Sequence, residues 1–124
     1  MNPGEIVIKN TTVLTGLMER NFAPLLIKII IEVANEYGLV MTESYRKKRH
    51  MNDLHGFQPV RAVDLRSWCY GDKEAYDIMH QINARWAYDP TRPEKKVAII
   101  HRVGTGGIHF HIQVHENTIR RSTV

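Results

Sequence analysis

The segment from Ile108 to His115 constrains the fold of this chain more than any other. Its side chains alternate between apolar residues and histidine or glutamine, in the order Ile-His-Phe-His-Ile-Gln-Val-His. Because successive side chains of a β-strand point to opposite faces, the alternation predicts a strand whose aromatic and aliphatic residues enter the core. The other face of this strand would carry His109, His111, Gln113 and His115.

Two histidines separated by two residues on one strand face can both reach one metal ion or its water, and neutral imidazole is the commonest zinc ligand. The competing interpretation is an exposed polar face that happens to use histidine. Cys69 is the single cysteine, which excludes an internal disulfide and a cysteine-rich zinc site. A metal would therefore need imidazole and carboxylate ligands.

The composition is that of one small globular domain. The chain has 124 residues, of which 43% are apolar and 24% charged, so it can build one core without disulfides. We expect a single domain over residues 1–124. The formal net charge of +4 is compatible with nucleic acid, with an anionic wall polymer or with simple solubility, and it does not choose among them.

No export or membrane segment is expected from the sequence. The start of the chain lacks the basic and apolar regions of a signal peptide, and the most apolar stretch, residues 22–34, is short and carries Lys28 and Glu32. These features predict a cytoplasmic protein with no membrane partner. Action at the cell wall would require release by another system.

Hydrophobic periodicity predicts two principal helices, over residues 21–37 and 72–87, with Gly38 ending the first and Asp72 capping the second. Apolar, alternating and β-branched segments predict strands over residues 39–42, 61–66, 96–101 and 108–114, the last two joined by a turn at 104–107. A long polar loop at residues 47–60 should carry part of any site. The predicted class is α+β with a small, largely antiparallel sheet.

Three segments carry the most specific pattern in the chain. They are Glu43-Ser-Tyr-Arg46, Leu54-His-Gly-Phe-Gln-Pro-Val-Arg-Ala-Val-Asp64 and His109-Phe-His111. Together they resemble the zinc peptidases of the hedgehog and D-Ala-D-Ala peptidase group. That family has a Ser-x-Tyr-Arg-like segment, a zinc histidine and zinc aspartate in an HxxGxAxD pattern, and a late HxH whose second histidine binds zinc. The resemblance runs through residues 39–114 and implies a fold of the hedgehog/DD-peptidase type.

The resemblance implies a role for each matched residue. His55, Asp64 and His111 would be the ligands of Zn²⁺, and three such ligands leave a fourth position for water. Arg46 would stabilise the developing oxyanion, and His109 would lie beside the water.

The chain departs from the family pattern between the first two ligands. His55 and Asp64 are nine residues apart rather than seven, and Val60 stands where the pattern has glycine. Loops absorb such insertions cheaply, so the ligands can still converge. His50 is the reserve ligand.

The catalytic glutamate of the family has no counterpart in this chain. It lies three or six residues before the late zinc histidine, where this chain has Ile108 and Thr105. A zinc peptidase needs a base to accept the proton of water and return it to the leaving amine. We assign this task to His109 or His101. The alternatives, on the loop after the second helix, are Asp89 and Glu94.

The predicted function is zinc-dependent hydrolysis of peptidoglycan peptides, as a D-Ala-D-Ala carboxypeptidase or an endolysin-type endopeptidase similar to phage-encoded members of the family. The alternative is a zinc-binding interaction module that recognises a peptide without cutting it. A third interpretation is a basic nucleic-acid-binding protein without metal. No nucleic-acid-binding module is recognised in the sequence, however, and nucleic acid is not expected as a partner.

Three aromatic residues and one further histidine have both a functional and a structural interpretation. Trp68, Tyr70 and Trp86 are candidates for a substrate platform, although Trp86 lies on the apolar stripe of the second helix and is expected in the core. His80 lies off that stripe and is expected at the surface.

Overall fold

A computed structural model describes residues 1–67, 69–102 and 108–122. Its helices are α1 (Thr11–Glu19), α2 (Pro24–Tyr37) and α3 (Asp72–Arg85), with one 3-10 turn at Leu54–Gly56. Its strands are β1 (Ile6–Ile8), β2 (Leu39–Glu43), β3 (Ala62–Arg66), β4 (Trp86–Ala87), β5 (Ala98–Arg102), β6 (Ile108–Gln113) and β7 (Ile119–Arg120). The predicted α+β class is confirmed.

The main sheet has the strand order β1-β2-β3-β6-β5. The neighbours β2 and β3, β3 and β6, and β6 and β5 are antiparallel, as expected. The strand β1 was not predicted, and it pairs parallel to β2, so the sheet is mixed. β4 and β7 form a separate two-stranded sheet.

The core lies between one face of the main sheet and the helices. Val63 and Leu65 of β3 pair with Ile112 and Phe110 of β6, and all four side chains are buried. They belong to one hydrophobic cluster with buried residues of α2 and α3. The opposite face of the same two strands carries Ala62, Asp64, Arg66, His109, His111 and Gln113. The alternation of the sequence therefore separates a core face from a face that bears the candidate site.

The helix boundaries differ from the predicted ones for local reasons. α2 begins at Pro24, later than expected, because proline suits the first turn of a helix, where its missing N–H has no partner. The N-cap of α3 is Gly71 without a side-chain cap bond, so the prediction that Asp72 caps this helix was wrong. α3 ends at Arg85 because Trp86 and Ala87 adopt extended backbone and pair with β7.

Helix α1 was missed by the periodicity analysis. Asn10 caps it by accepting a hydrogen bond from the Val13 N–H at 3.0 Å. Only Val13 and Gly16 of its nine residues are buried, so its apolar stripe is too narrow to stand out in the sequence.

The aromatic platform is not formed as proposed. Tyr70 is buried, and its hydroxyl donates to the Gly38 carbonyl at 2.6 Å, so its ring is unavailable to a substrate. Trp86 lies in the core as expected, and His80 is exposed as expected. Trp68 and the predicted turn at 104–107, with Thr105, lie outside the described residues.

The longest helices of the described part, α2 and α3, have 14 residues each. None of the described helices combines the length and apolar character needed to span a bilayer.

Candidate metal centre

The three residues predicted as metal ligands meet at the centre of the sheet. Asp64 of β3 lies directly opposite His111 of β6, and His55 reaches them from the 3-10 turn. Each side chain offers one ligand atom, and the three atoms lie within 4.8 Å of one another. The structure therefore brings together His55, Asp64 and His111, which form a group that could hold a metal ion.

His55 is 1% exposed and has one nitrogen without a partner. Its Nδ1 lies 2.8 Å from the Ser44 carbonyl oxygen, and because that oxygen only accepts, Nδ1 carries the proton. In the neutral ring, Nε2 then holds a lone pair. This atom makes no hydrogen bond, although it lies 3.3 Å from Oδ1 of Asp64. A buried lone pair facing a carboxylate is the arrangement that a shared cation would satisfy.

Asp64 is the negative charge of the group. Its Oδ1 lies 2.8 Å from Nδ1 of His111, and its Oδ2 lies 3.8 Å from a terminal nitrogen of Arg46. Burial raises the pKa of this carboxyl, but the hydrogen bond from His111 and the proximity of His55 outweigh burial and bring the pKa far below its usual value. Asp64 is therefore ionised at every pH at which the protein would work.

Arg46 is locked in place beside the group. Its Nε and one terminal nitrogen bind the two carboxylate oxygens of Asp53 at 3.2 and 3.3 Å, and its other terminal nitrogen faces Glu43 at 3.5 Å as well as Asp64. Burial alone would lower the pKa of Arg46, but Asp53, Asp64 and Glu43 together raise it. A permanent positive charge is thus fixed next to the candidate ligands.

Asp53 also organises the turn that delivers His55. Its carboxylate accepts from the backbone N–H groups of Arg49 and His55 at 3.0 and 3.3 Å. The side chain is 3% exposed and carries four such contacts in total, which leaves it no free oxygen for chemistry. Its role in the structure is to hold the loop and Arg46 against the sheet.

Asp64 and His111 line a cleft of about 780 Å³, and His55 is buried next to them. The lining is rich in cations and imidazoles, and its acidic residues are Glu43, Asp53 and Asp64. The cationic lining residues are Lys9, Arg46, Arg49, Arg61, Arg92 and Lys95. Arg46, Arg61 and Arg92 are paired with carboxylates, so the positive charge that would favour an anionic ligand comes from Lys9, Arg49 and Lys95.

His109 and His101 lie in the same cleft, next to His111. They are direct cross-strand partners on β6 and β5, with nearly parallel rings whose centroids are 6.0 Å apart. The His101 ring is also 6.4 Å from that of His111. Both side chains are exposed, so either can exchange protons with water or a bound molecule in the cleft.

The other carboxylates named from the sequence are poorly placed for acid–base work. Asp89 is buried and accepts from Thr91 and from Nε of Arg92, the latter at 2.9 Å. Glu94 is exposed on the following loop and does not line the cleft. His50 lines the cleft but is not part of the three-residue group.

The sequence analysis named two residues of the cleft wall without giving them a role. Glu43 is the cross-strand partner of Asp64, and its one polar contact among those described is the 3.5 Å approach to Arg46. Gln113 contacts Nε2 of His111 at 3.1 Å. The alternation of the last strand predicted that Gln113 lies on the histidine face. Glu43 stands in the segment that resembles the family, but no sequence signal sets the register between β2 and β3, so its place opposite Asp64 was not predicted.

Comparison with known proteins adds no relative, because no family model, no curated protein and no solved structure matches this chain.

Proposed function

We propose that this protein is a zinc-dependent peptidase that hydrolyses peptidoglycan peptides, as a D-Ala-D-Ala carboxypeptidase or an endolysin-type endopeptidase. The observation that carries the proposal is the buried Nε2 of His55, which has no hydrogen-bond partner and faces Asp64 beside His111. The resemblance of three segments to the hedgehog and D-Ala-D-Ala peptidase group supports the same conclusion, including a fold of that type.

The three side chains suit zinc. Two imidazole nitrogens and one carboxylate oxygen are ligands that zinc accepts, and three protein ligands are typical of catalytic rather than structural zinc sites. Bound there, zinc would activate a water molecule and polarise the scissile carbonyl. Asp64 adds a negative charge, so the group attracts a dication more strongly than neutral imidazoles alone would.

Arg46 is the residue that would stabilise negative charge on the substrate. Its guanidinium is held by Asp53, so it need not reorganise when charge develops on the carbonyl oxygen of the scissile peptide. Its contact with Asp64 at 3.8 Å places it next to the ligand group.

We assign proton transfer to His109. Its cross-strand neighbour His101 is the second choice for this role. An exposed imidazole can accept a proton from water and return it to the leaving amine. Glu43 is the alternative, because among the described acidic residues of the cleft it has the fewest contacts.

The first experiment is metal analysis of protein purified without added zinc, followed by assay on muropeptides between pH 5 and 9. We expect one zinc per chain and cleavage that a chelator abolishes. His55→Ala should lose both metal and cleavage, whereas His80→Ala, an exposed histidine on α3, should keep both. Protein that binds no metal, and whose stability is insensitive to chelators, would refute the proposal.

A second candidate is a zinc-binding module that holds a peptide without cutting it. One observation favours it: of the described acidic residues that line the cleft, Asp53 and Asp64 are fully engaged and Glu43 contacts Arg46. A protein with bound zinc that retains peptides on a column but releases no cleavage product at any pH tested would be this module.

A further inference from the structure

Gln113 makes two hydrogen bonds that fix the direction of its amide. Its Nε2 donates to the Lys96 carbonyl at 2.9 Å, and its Oε1 lies 3.1 Å from Nε2 of His111. Because a backbone carbonyl only accepts, the amide nitrogen must face Lys96 and the amide oxygen must face the imidazole.

The direction of this amide determines the tautomer of His111. Oε1 of Gln113 only accepts, so Nε2 of His111 has to carry the proton that lies between them. Nδ1 is the atom that faces the candidate metal group. It lies 2.8 Å from Oδ1 of the ionised Asp64, so without a metal it also carries a proton, which it donates to that oxygen. A zinc ion bound to Asp64 and His111 would displace this proton, and because Nε2 keeps its own proton toward Gln113, the coordinating lone pair would be that of Nδ1.

His55 is arranged in the opposite sense. Its Nδ1 donates to the Ser44 carbonyl, and its Nε2 faces Asp64. Each imidazole of the group therefore has its outward nitrogen held by a fixed acceptor and its inward nitrogen turned toward Asp64, where zinc would bind. Outer partners of this kind orient a ligand and raise its basicity.

We propose that Gln113 is a positioning residue that fixes His111 as an Nδ1 ligand and thereby sets the zinc affinity of the site. This inference rests on the proposed function only in requiring that the His55–Asp64–His111 group binds zinc. Without Gln113, the Nε2–H group of His111 loses its acceptor, and the ring can rotate away from the orientation that presents Nδ1 to the metal.

The test measures zinc affinity in three variants by competition with a chromophoric chelator. Gln113→Leu should weaken zinc binding by about 10-fold to 100-fold, the usual effect of losing an outer partner of a histidine ligand. Gln113→Glu should restore affinity to within a few-fold of the original, because its carboxylate also accepts from Nε2–H. Gln81→Leu, the same change at an exposed position of α3, should leave affinity unchanged.

A nitrogen-15 spectrum of the histidine rings in the unaltered protein gives a readout that loss of structure in a variant cannot imitate. On addition of zinc alone, we expect His111 to coordinate through Nδ1 and keep its proton on Nε2. Zinc bound through Nε2 of His111, or unchanged affinity in Gln113→Leu, would overturn this inference while leaving the zinc site intact. If the unaltered protein binds no zinc, the proposed function fails and this inference fails with it.

Discussion

The histidines of this protein take different roles because their ring nitrogens have different partners. His55 and His111 each have one nitrogen held by a carbonyl-type oxygen and the other turned toward Asp64. His115 accepts from the Asn117 N–H through Nδ1 and is absent from the group, and His80 is exposed on a helix. The candidate ligands are the two histidines that share one carboxylate, with nitrogens 3.3 and 2.8 Å from Asp64, whereas His115 is 3.9 Å from Asp89 alone.

The assignment of His109 to proton transfer leads to a kinetic prediction. His109→Gln should lower kcat for a muropeptide by about 10²–10⁴-fold, the usual contribution of a general base, and should leave the Kd for zinc unchanged. Steady-state kinetics of zinc-loaded protein with a parallel metal titration makes the comparison.

Glu43→Gln is the matched variant for this experiment, because Glu43 lies in the same cleft and outside the ligand group. We expect it to retain most of the activity. If Glu43→Gln shows the large loss and His109→Gln does not, the base is the carboxylate and our assignment is wrong.

Asp89 gives a prediction for the dependence of stability on pH. The hydrogen bonds from Thr91, followed by that from Arg92, hold the pKa of this carboxyl far below its usual value. A lowered folded-state pKa stabilises the protein above the unfolded-state pKa of about 3.9, and the contribution is lost as the pH falls below that value.

Asp89→Asn should therefore reduce the free energy of unfolding at pH 7, and the difference from the unaltered protein should shrink below about pH 4. Urea denaturation at several pH values tests this. Asp77→Asn removes an exposed pair with Lys73 and should cost less than about 1 kcal/mol. A difference for Asp89→Asn that stays constant with pH would contradict the expected role of its charge.

At the scale of elements, the contact between α1 and the end of β2 supports the candidate site. Gly16 of α1 lies so close to Ser44 that a Cβ atom would come within 2.4 Å of Ser44 Oγ, and this hydroxyl donates to the Val13 carbonyl at 2.8 Å. The Ser44 carbonyl in turn accepts from His55. The packing of a helix that sequence analysis missed thus fixes the orientation of a candidate ligand.

Gly16→Ala should consequently destabilise the protein, although alanine is favoured over glycine in a helix by about 1 kcal/mol. Ser44 is fully buried and cannot move aside freely, so we expect a net cost of about 1–3 kcal/mol, typical of overpacking. Zinc affinity should also fall, because the Ser44 carbonyl shifts.

Ala84→Gly is the comparison for Gly16→Ala, since Ala84 is exposed near the end of α3 and has no contact with the site. It should reduce stability by about 0.5–1 kcal/mol and leave zinc binding unchanged. Calorimetry with and without zinc separates the two effects. A Gly16→Ala protein that is more stable than the original would contradict the close approach of α1 to Ser44.

The elements that the sequence predicted are those with a strong pattern. The long apolar stripe of α2 and the alternation of β3 and β6 each gave the element and its buried face. β1 has three residues and α1 buries two, so neither produces a periodic signal above its surroundings. Burial and pairing of such short elements depend on neighbours that are distant in sequence.

The candidate site likewise has residues that the sequence predicted and contacts that it did not. Strand parity placed His111 on one face with His109 and Gln113, and the resemblance to a family motif joined His55 and Asp64 to it. The register that sets Glu43 opposite Asp64 and the Lys96 carbonyl that orients Gln113 are consequences of tertiary pairing. A side chain whose role depends on a backbone group of another strand leaves no trace in local sequence.

At the scale of the whole molecule, the three candidate ligands join parts of the chain that are otherwise held by packing. His55 lies in a long loop, Asp64 in a central strand and His111 in the strand beside it. The region of residues 47–60 contains no helix longer than the 3-10 turn at Leu54–Gly56 and no strand, only turns and one isolated bridge at Val60. A metal ion bound to all three would tie this loop to the centre of the sheet.

Zinc should therefore raise the stability of the whole fold. A ligand that binds only the folded state adds about 2.7 kcal/mol to the free energy of unfolding when its free concentration is 100 times its Kd. For a domain of this size we expect an increase in Tm of roughly 10 °C, reversed by a chelator. Magnesium should have no such effect, because it prefers oxygen ligands.

His55→Ala should abolish the zinc-dependent part of this increase, and His80→Ala should preserve it. Limited trypsin digestion adds a local measurement, since Lys47, Lys48 and Arg49 are cleavage sites in the loop that His55 anchors. Zinc should slow cleavage at these sites in the unaltered protein and in His80→Ala, and should have no effect in His55→Ala. Equal protection in all three proteins would mean that zinc binds elsewhere and that His55 is a structural histidine.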